Sequence, residues 1–238
     1  QIPAEVLDRY FNTNDLRLRW FDPRTSLVLM NGNTDSGTCY VTSQATPLAD
    51  FLTEAFPLEP QPTPDETKFI LYKCPKSAAV AATLTQISSV PVYRQPTDAQ
   101  ETSDTLLAVP VHFGNTLDFL GYDLSFATRP SDHSVTLATY WRVQERPEEQ
   151  PHIFVHLLDS QNHIVLRYDG LEIPSVGWYK DDILVQLHSL PSRTGLSLDG
   201  YRLRVGLYNP QTMDRVSATN SEGKLIGSYI LLPATPTH

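Results

Sequence analysis

Between Ser134 and Tyr168 the chain spells three β-type runs separated by turn formers: SVTLATYWRV, the polar break QERPEEQP, then HIFVHLL, DSQNH and IVLRYD. Short runs of branched and aromatic residues punctuated by Pro, Asp and Asn give an antiparallel meander. A meander must bury one face, so the rest of the chain has to supply a second layer. LLAVPVHFG and LDFLGYDLSFA precede it, and ILVQLHSLP, YRLRVGLYNP and KLIGSYILLP follow it. Roughly eight strands at regular spacing predict a mainly β fold, an antiparallel β-sandwich of jelly-roll type over residues 105–238. Parity places Trp141 with Val135, Leu137 and Val143, on the core side of its strand.

Residues 1–75 read differently. Ala4–Phe11 and Pro47–Phe56 carry apolar residues at helical spacing, and Leu16–Phe21, Ser26–Asn31, Thr38–Ser43 and Thr67–Cys74 read as strands. Helix, strands, helix and strand make a small α/β segment, expected to close a larger domain. Residues 76–104 are rich in Ala, Ser, Thr, Pro and Gln. They read as a linker, with Leu84–Tyr93 an edge strand that Pro91 would permit.

Net charge is −9, and the acidic excess is even: 8 basic against 13 acidic groups over 1–104, 10 against 14 over 105–238. Neither half offers the positive field that nucleic acid or an anionic lipid surface demands. No apolar run approaches the ~18 residues of a membrane-crossing helix, and QIPAEVLDRYF has no leader-like basic and apolar blocks. Cys39 and Cys74 are too few for a disulfide scaffold and leave two readings open, a pair of free thiols or one bridge.

HExxH, GxSxG, Walker and GxGxxG patterns are absent, so no catalytic residue is expected. The pairs Glu148-Glu149 and Asp181-Asp182 lie in charged turns, where solvated carboxylates are the ordinary outcome. His152 and His156 share a strand face near Asp159 and His163, but positions i and i+4 of a strand lie ~13 Å apart. That is too far to share one ion, and the turn oxygens of Asp159, Asn162 and Asp169 form no dense calcium-loop series, so neither metal nor cofactor is expected. Glycan contact has a clearer signature, an aromatic ring for the sugar face with polar groups for its hydroxyls. Trp178 and Tyr179, with Asp181 and Asp182 beside them, fit it, and so do Tyr208 and Asn209. The competing reading makes Trp178 a plug over an open end of the sandwich.

HFGNTLDFLGYDL, TLATYWRV, HIFVHLLDSQNHIV and GYRLRVGLYNPQT, in that order, resemble the extracytoplasmic C-terminal region of bacterial GT-C type membrane glycosyltransferases, those similar to dolichyl-phosphate-mannose protein mannosyltransferases. RWFDPRTSLVL, TCYVTSQATPL and FILYKC resemble the α/β segment before that sandwich. The resemblance implies a location on the extracytoplasmic face of a bacterial membrane and an association with a transmembrane body. In such enzymes the catalytic acids sit in loops between transmembrane helices, so no catalytic residue carries over to this chain. The expectation is a non-catalytic accessory region contacting glycan or glycosylated acceptor. The alternative is a structural or protein-interaction sandwich without a ligand.

Overall fold

The computed structural model describes residues 18–30, 39–62, 68–73, 75–96, 103–126, 134–191 and 200–234. The predicted helix Ala4–Phe11 and Cys74 lie outside them. The first part of the chain forms β1 (Ser26–Leu29), β2 (Cys39–Ser43), α1 (Asp50–Ala55), β3 (Pro60–Gln61), β4 (Phe69–Lys73) and α2 (Ser77–Ser88). Short strands β5 (Val92–Arg94), β6 (Thr105–Leu107) and β7 (Val111–Phe113) come next. The long strands are β8 (Leu117–Phe126), β9 (Ser134–Val143), β10 (His152–Leu158), β11 (Ile164–Gly170), β12 (Ile183–Pro191) and β13 (Arg202–Tyr208). The last are β14 (Ala218–Thr219), β15 (Leu225–Gly227) and β16 (Ile230–Pro233).

These strands build a mainly β, antiparallel sandwich. One sheet runs β1-β12-β9-β8-β7-β14-β15, the other β11-β10-β13-β16-β5-β6, and β2-β4-β3 make a small third sheet. Two of the expected strands split and change sheets. LLAVPVHFG becomes β6 in the six-stranded sheet and β7 in the seven-stranded one, and KLIGSYILLP divides in the same way into β15 and β16.

Strand parity decides the core. Leu137, Trp141 and Val143 of β9 face Ile153, Val155 and Leu157 of β10 and Leu203, Val205 and Leu207 of β13, all in one buried cluster. Trp141 is fully buried there, with Phe113 and Phe119 edge-on to it at ring-centroid distances of 5.4 and 5.1 Å. Such edge contacts add about 1 kcal/mol apiece to the burial of the rings.

The outward face of the seven-stranded sheet is also buried. Leu27, Leu29, Ala138, Tyr140 and Val185 pack under Leu52 and Phe56 around α1, Tyr40 and Tyr72 of the small sheet, and Ile87 of α2. The N-terminal segment is therefore a third layer on the sandwich, and it lends β1 to the main sheet through pairing with β12.

Two local expectations change. The described part of Leu16–Phe21 carries no regular structure. Leu84–Tyr93 is not an edge strand: the chain is helical through Ser88, and only Val92–Arg94 is extended. Alanine-rich SAAVAATLTQIS favours helix, and Val80, Leu84 and Ile87, at steps of four and three, supply the buried stripe. The helix reaches β8 at Gly121, whose φ is +149°. A Cβ there would lie 2.3 Å from the Ile87 carbonyl oxygen, so only glycine permits the contact.

Candidate binding face

The two groups of sequence-predicted residues lie at the same end of the sandwich, and most of them are structural. Trp178, after a 3-10 turn over Ser175–Gly177, is 3% exposed and donates its indole N–H to the Ile173 carbonyl at 3.2 Å. It is a plug, and its ring has no free face for a sugar. Asp182 is buried as well. Its carboxylate takes two 2.8 Å bonds from Arg19 and a third from the Tyr179 backbone N–H at 3.1 Å. Asp181 adopts a φ of +68° in the turn and bonds through its N–H to the Val143 carbonyl. Tyr179 is the exposed member, with the Arg19 guanidinium 4.6 Å from its ring centroid. Asn209 shapes its own turn by accepting from the backbone of Gln211 and Thr212, and its amide donates to Glu149.

Tyr208 belongs to a different surface, the outward face of the six-stranded sheet. Alternation sends Ile153, Val155 and Leu157 into the core and turns His152, Phe154 and His156 to the opposite face, where Phe154 and His156 are nonetheless buried and His152 is half-buried. Register then lays down cross-strand rows. One row is Arg167 of β11, His156 of β10 and Arg204 of β13. The next is Asp169, Phe154 and Gly206, and beyond it His152 faces Tyr208. The rings form a continuous group. His152 meets Tyr208 edge-on at 5.6 Å, Phe154 lies 5.1 Å from His156, and Arg215 stacks 4.9 Å above Phe154. Gly206 makes this possible, since a Cβ on it would stand 2.5 Å from Phe154 Cζ and 2.7 Å from the Ser228 carbonyl oxygen.

Electrostatics distinguish this face from the acidic remainder. Burial holds the His156 imidazole below its ordinary pKa; Asp169 opposes that, and Arg204, Arg215 and Arg167 reinforce it. His156 is thus neutral at pH 7. Its Nδ1 accepts from Arg204 Nη2 at 3.3 Å, which leaves the proton on Nε2, 3.8 Å from Asp169. Burial and the neighbouring Arg215 likewise depress the Arg204 guanidinium, which interacts with Tyr229 in turn.

The remaining charged candidates stay apart. His163 pairs with Asp159, whose carboxylate also accepts the N–H groups of Gln161 and His163 as a turn cap. Asn162 accepts from Arg202. Among the described residues no three His, Cys, Asp or Glu side chains gather into a metal cluster.

Sequence reasoning missed two features. His112 and Asp118 face each other across the β7–β8 hairpin at 2.6 Å, and Gln144 donates to the same carboxylate. Among the described residues no hydroxyl or thiol bonds to that imidazole, so the pair has the orienting half of a catalytic arrangement without a nucleophile. The second is the arginine row, which only strand register assembles from HIFVHLL, IVLRYD and YRLRVGLY. Comparison of the chain with protein-family models, with curated proteins and with solved structures finds no match.

Proposed function

We propose that the chain is a non-catalytic glycan-contacting module, an extracytoplasmic accessory region of a GT-C-like membrane glycosyltransferase, and that the outward face of its six-stranded sheet is the contact surface. The observation that carries the surface is an asymmetry. The outward face of the seven-stranded sheet is apolar and covered by α1, α2 and the small sheet, whereas the opposite face carries His152, Phe154, Tyr208, Arg204 and Arg215. Arg215 covers Phe154, which is 2% exposed, so the rings open to a sugar there are His152 and Tyr208, both half-buried. Aromatic rings beside guanidinium and imidazole groups supply both the stacking and the hydrogen-bonding halves of sugar recognition. The link to a membrane enzyme rests on the ordered motif resemblance. Binding of the chain to an immobilised glycan library, repeated with Tyr208→Ala, tests the reading. Binding that Tyr208→Ala weakens supports it, and no binding to any glycan overturns it.

A protein-interaction reading has its own observation. Among the described residues β11 ends the six-stranded sheet with no further strand beside it, and Ile164 and Val165 are 48% and 43% exposed. Such an edge accepts another strand. Co-purification with a membrane body that Val165→Lys abolishes would favour it.

A further inference from the structure

The outermost strands of the two large sheets differ in length and in what they present. β1 has four residues, all buried, and β15 and β6 have three each. β11 has seven, of which Ile164, Val165, Arg167 and Asp169 are exposed. A long sheet edge is a template for another strand, and folds blunt it with a short strand, a proline, a lysine or a charge turned inward. IVLRYDG contains neither proline nor lysine. Its inward positions, Leu166 and Tyr168, pack on the core, so both of its charges lie on the outward face. Among the described residues β10 is its only strand partner.

Those charges select the strand that fits. Arg167 and Asp169 are opposite in sign and two residues apart, so the edge discriminates by pattern and not by net charge, and the pattern it complements is its own reversed copy. A twofold axis through one residue of an antiparallel pair sets the residues before it opposite those after it in the second copy. Three such registers pair five or more of the seven residues of β11. An axis through Arg167 places that side chain directly against its own copy, like charge on like charge. An axis through Leu166 sets Arg167 opposite Val165 and leaves Asp169 opposite His163, outside the strand. An axis through Tyr168 sets Arg167 opposite Asp169 of the second copy and Asp169 opposite its Arg167, two ion pairs from one contact. Both groups are available for it. Asp169 stands 3.8 Å from the neutral His156 ring, and Arg167 has no ion pair among the described residues.

We infer that β11 pairs antiparallel with β11 of a second copy of this chain, about a twofold axis at Tyr168, so that two six-stranded sheets join into one. This rests on the reading of β11 as an accepting edge and names its partner. An axis perpendicular to the sheet keeps both outward faces on the same side. His152 and Tyr208 of the two copies are then presented together, and a ligand that spans them gains the second contact at high effective concentration.

The test is sedimentation of the chain over a concentration series, with charge reversals in β11. The wild type should form a dimer. Arg167→Asp and Asp169→Arg should each turn two attractions into two repulsions and weaken it about tenfold or more, and the double variant should restore it. Unchanged thermal melting of all three variants excludes loss of fold. Amide hydrogen exchange gives a second readout: the β11 amides that face away from β10 should exchange more slowly as concentration rises. A dimer that both single reversals leave intact, or that the double variant fails to restore, overturns the inference. A chain that stays monomeric at every concentration overturns it too. The edge reading survives that result if Val165→Lys still abolishes co-purification with a membrane body, and falls with it if Val165→Lys changes nothing.

Discussion

Acidification should destabilise this protein through His188. The residue sits on β12, fully buried between the sheets, with its Nε2 2.8 Å from the Thr139 hydroxyl oxygen. That oxygen already accepts the Trp141 indole N–H at 2.8 Å, so its own O–H donates to Nε2 and the imidazole is neutral. Tyr168 closes the remaining side edge-on at 4.9 Å. Burial alone lowers the His188 pKa from 6.5 to about 3. Because the folded value lies below the unfolded one, the unfolded chain takes up the proton first. Its contribution is intact above pH 6.5 and is lost as pH falls, at about 1.4 kcal/mol per pH unit, until about pH 3. At pH 4.5 the loss is about 2–3 kcal/mol, a sizeable part of the total stability of an ordinary domain. Urea unfolding at pH 7.5 and 4.5 for the wild type and for His188→Gln measures it. The glutamine does not titrate and can still accept from Thr139, and the carboxylates common to both proteins cancel in the difference. The wild type should lose about 2–3 kcal/mol more than the variant between the two pH values. Equal losses would refute the reasoning, as would an NMR titration in which the His188 ring protonates above pH 5.

Other consequences are equally direct. Asp182→Ala strands the buried Arg19 guanidinium and should cost about 3 kcal/mol, read as a drop in the urea midpoint. Gly206→Ala pushes a methyl group into the Phe154 ring and should cost about 1–3 kcal/mol while loosening the Arg215 stack, visible as a lower melting temperature together with weaker ligand binding. Protonating His156, whose pKa is held below 6.5, adds positive charge between Arg204, Arg215 and Arg167, with Asp169 the opposing acid. Its ring should therefore titrate below pH 6.5 in an NMR titration of the folded chain, and a midpoint at or above 6.5 would refute the reasoning.

The sandwich was legible because alternation writes it out: Leu137, Trp141 and Val143 point one way in β9, and the structure buries all three. α2 was not, because alanine and threonine between Ser77 and Ser88 dilute the helical stripe, leaving Val80, Leu84 and Ile87 as its only guide. Trp178 illustrates a different limit. A tryptophan in a turn looks the same on paper whether it faces water or closes the core, and what decides it here is the Ile173 carbonyl waiting for its N–H. The arginine face was hidden for a topological reason. Arg167, Arg204 and Arg215 lie in separate segments: pairing of β11, β10 and β13 brings Arg167 and Arg204 beside His156, and the chain returning after β13 brings Arg215 over Phe154.

The central claim is that ligands meet the outward face of the six-stranded sheet and bypass the Trp178 turn. Titrating an isotope-labelled chain with an oligosaccharide selected from the glycan library and following its NMR chemical shifts tests that most directly. Shifts concentrated at His152, Phe154, His156, Arg204 and Tyr208 are the predicted result. Shifts concentrated at Trp178 and Tyr179, with the sheet face unmoved, would contradict it.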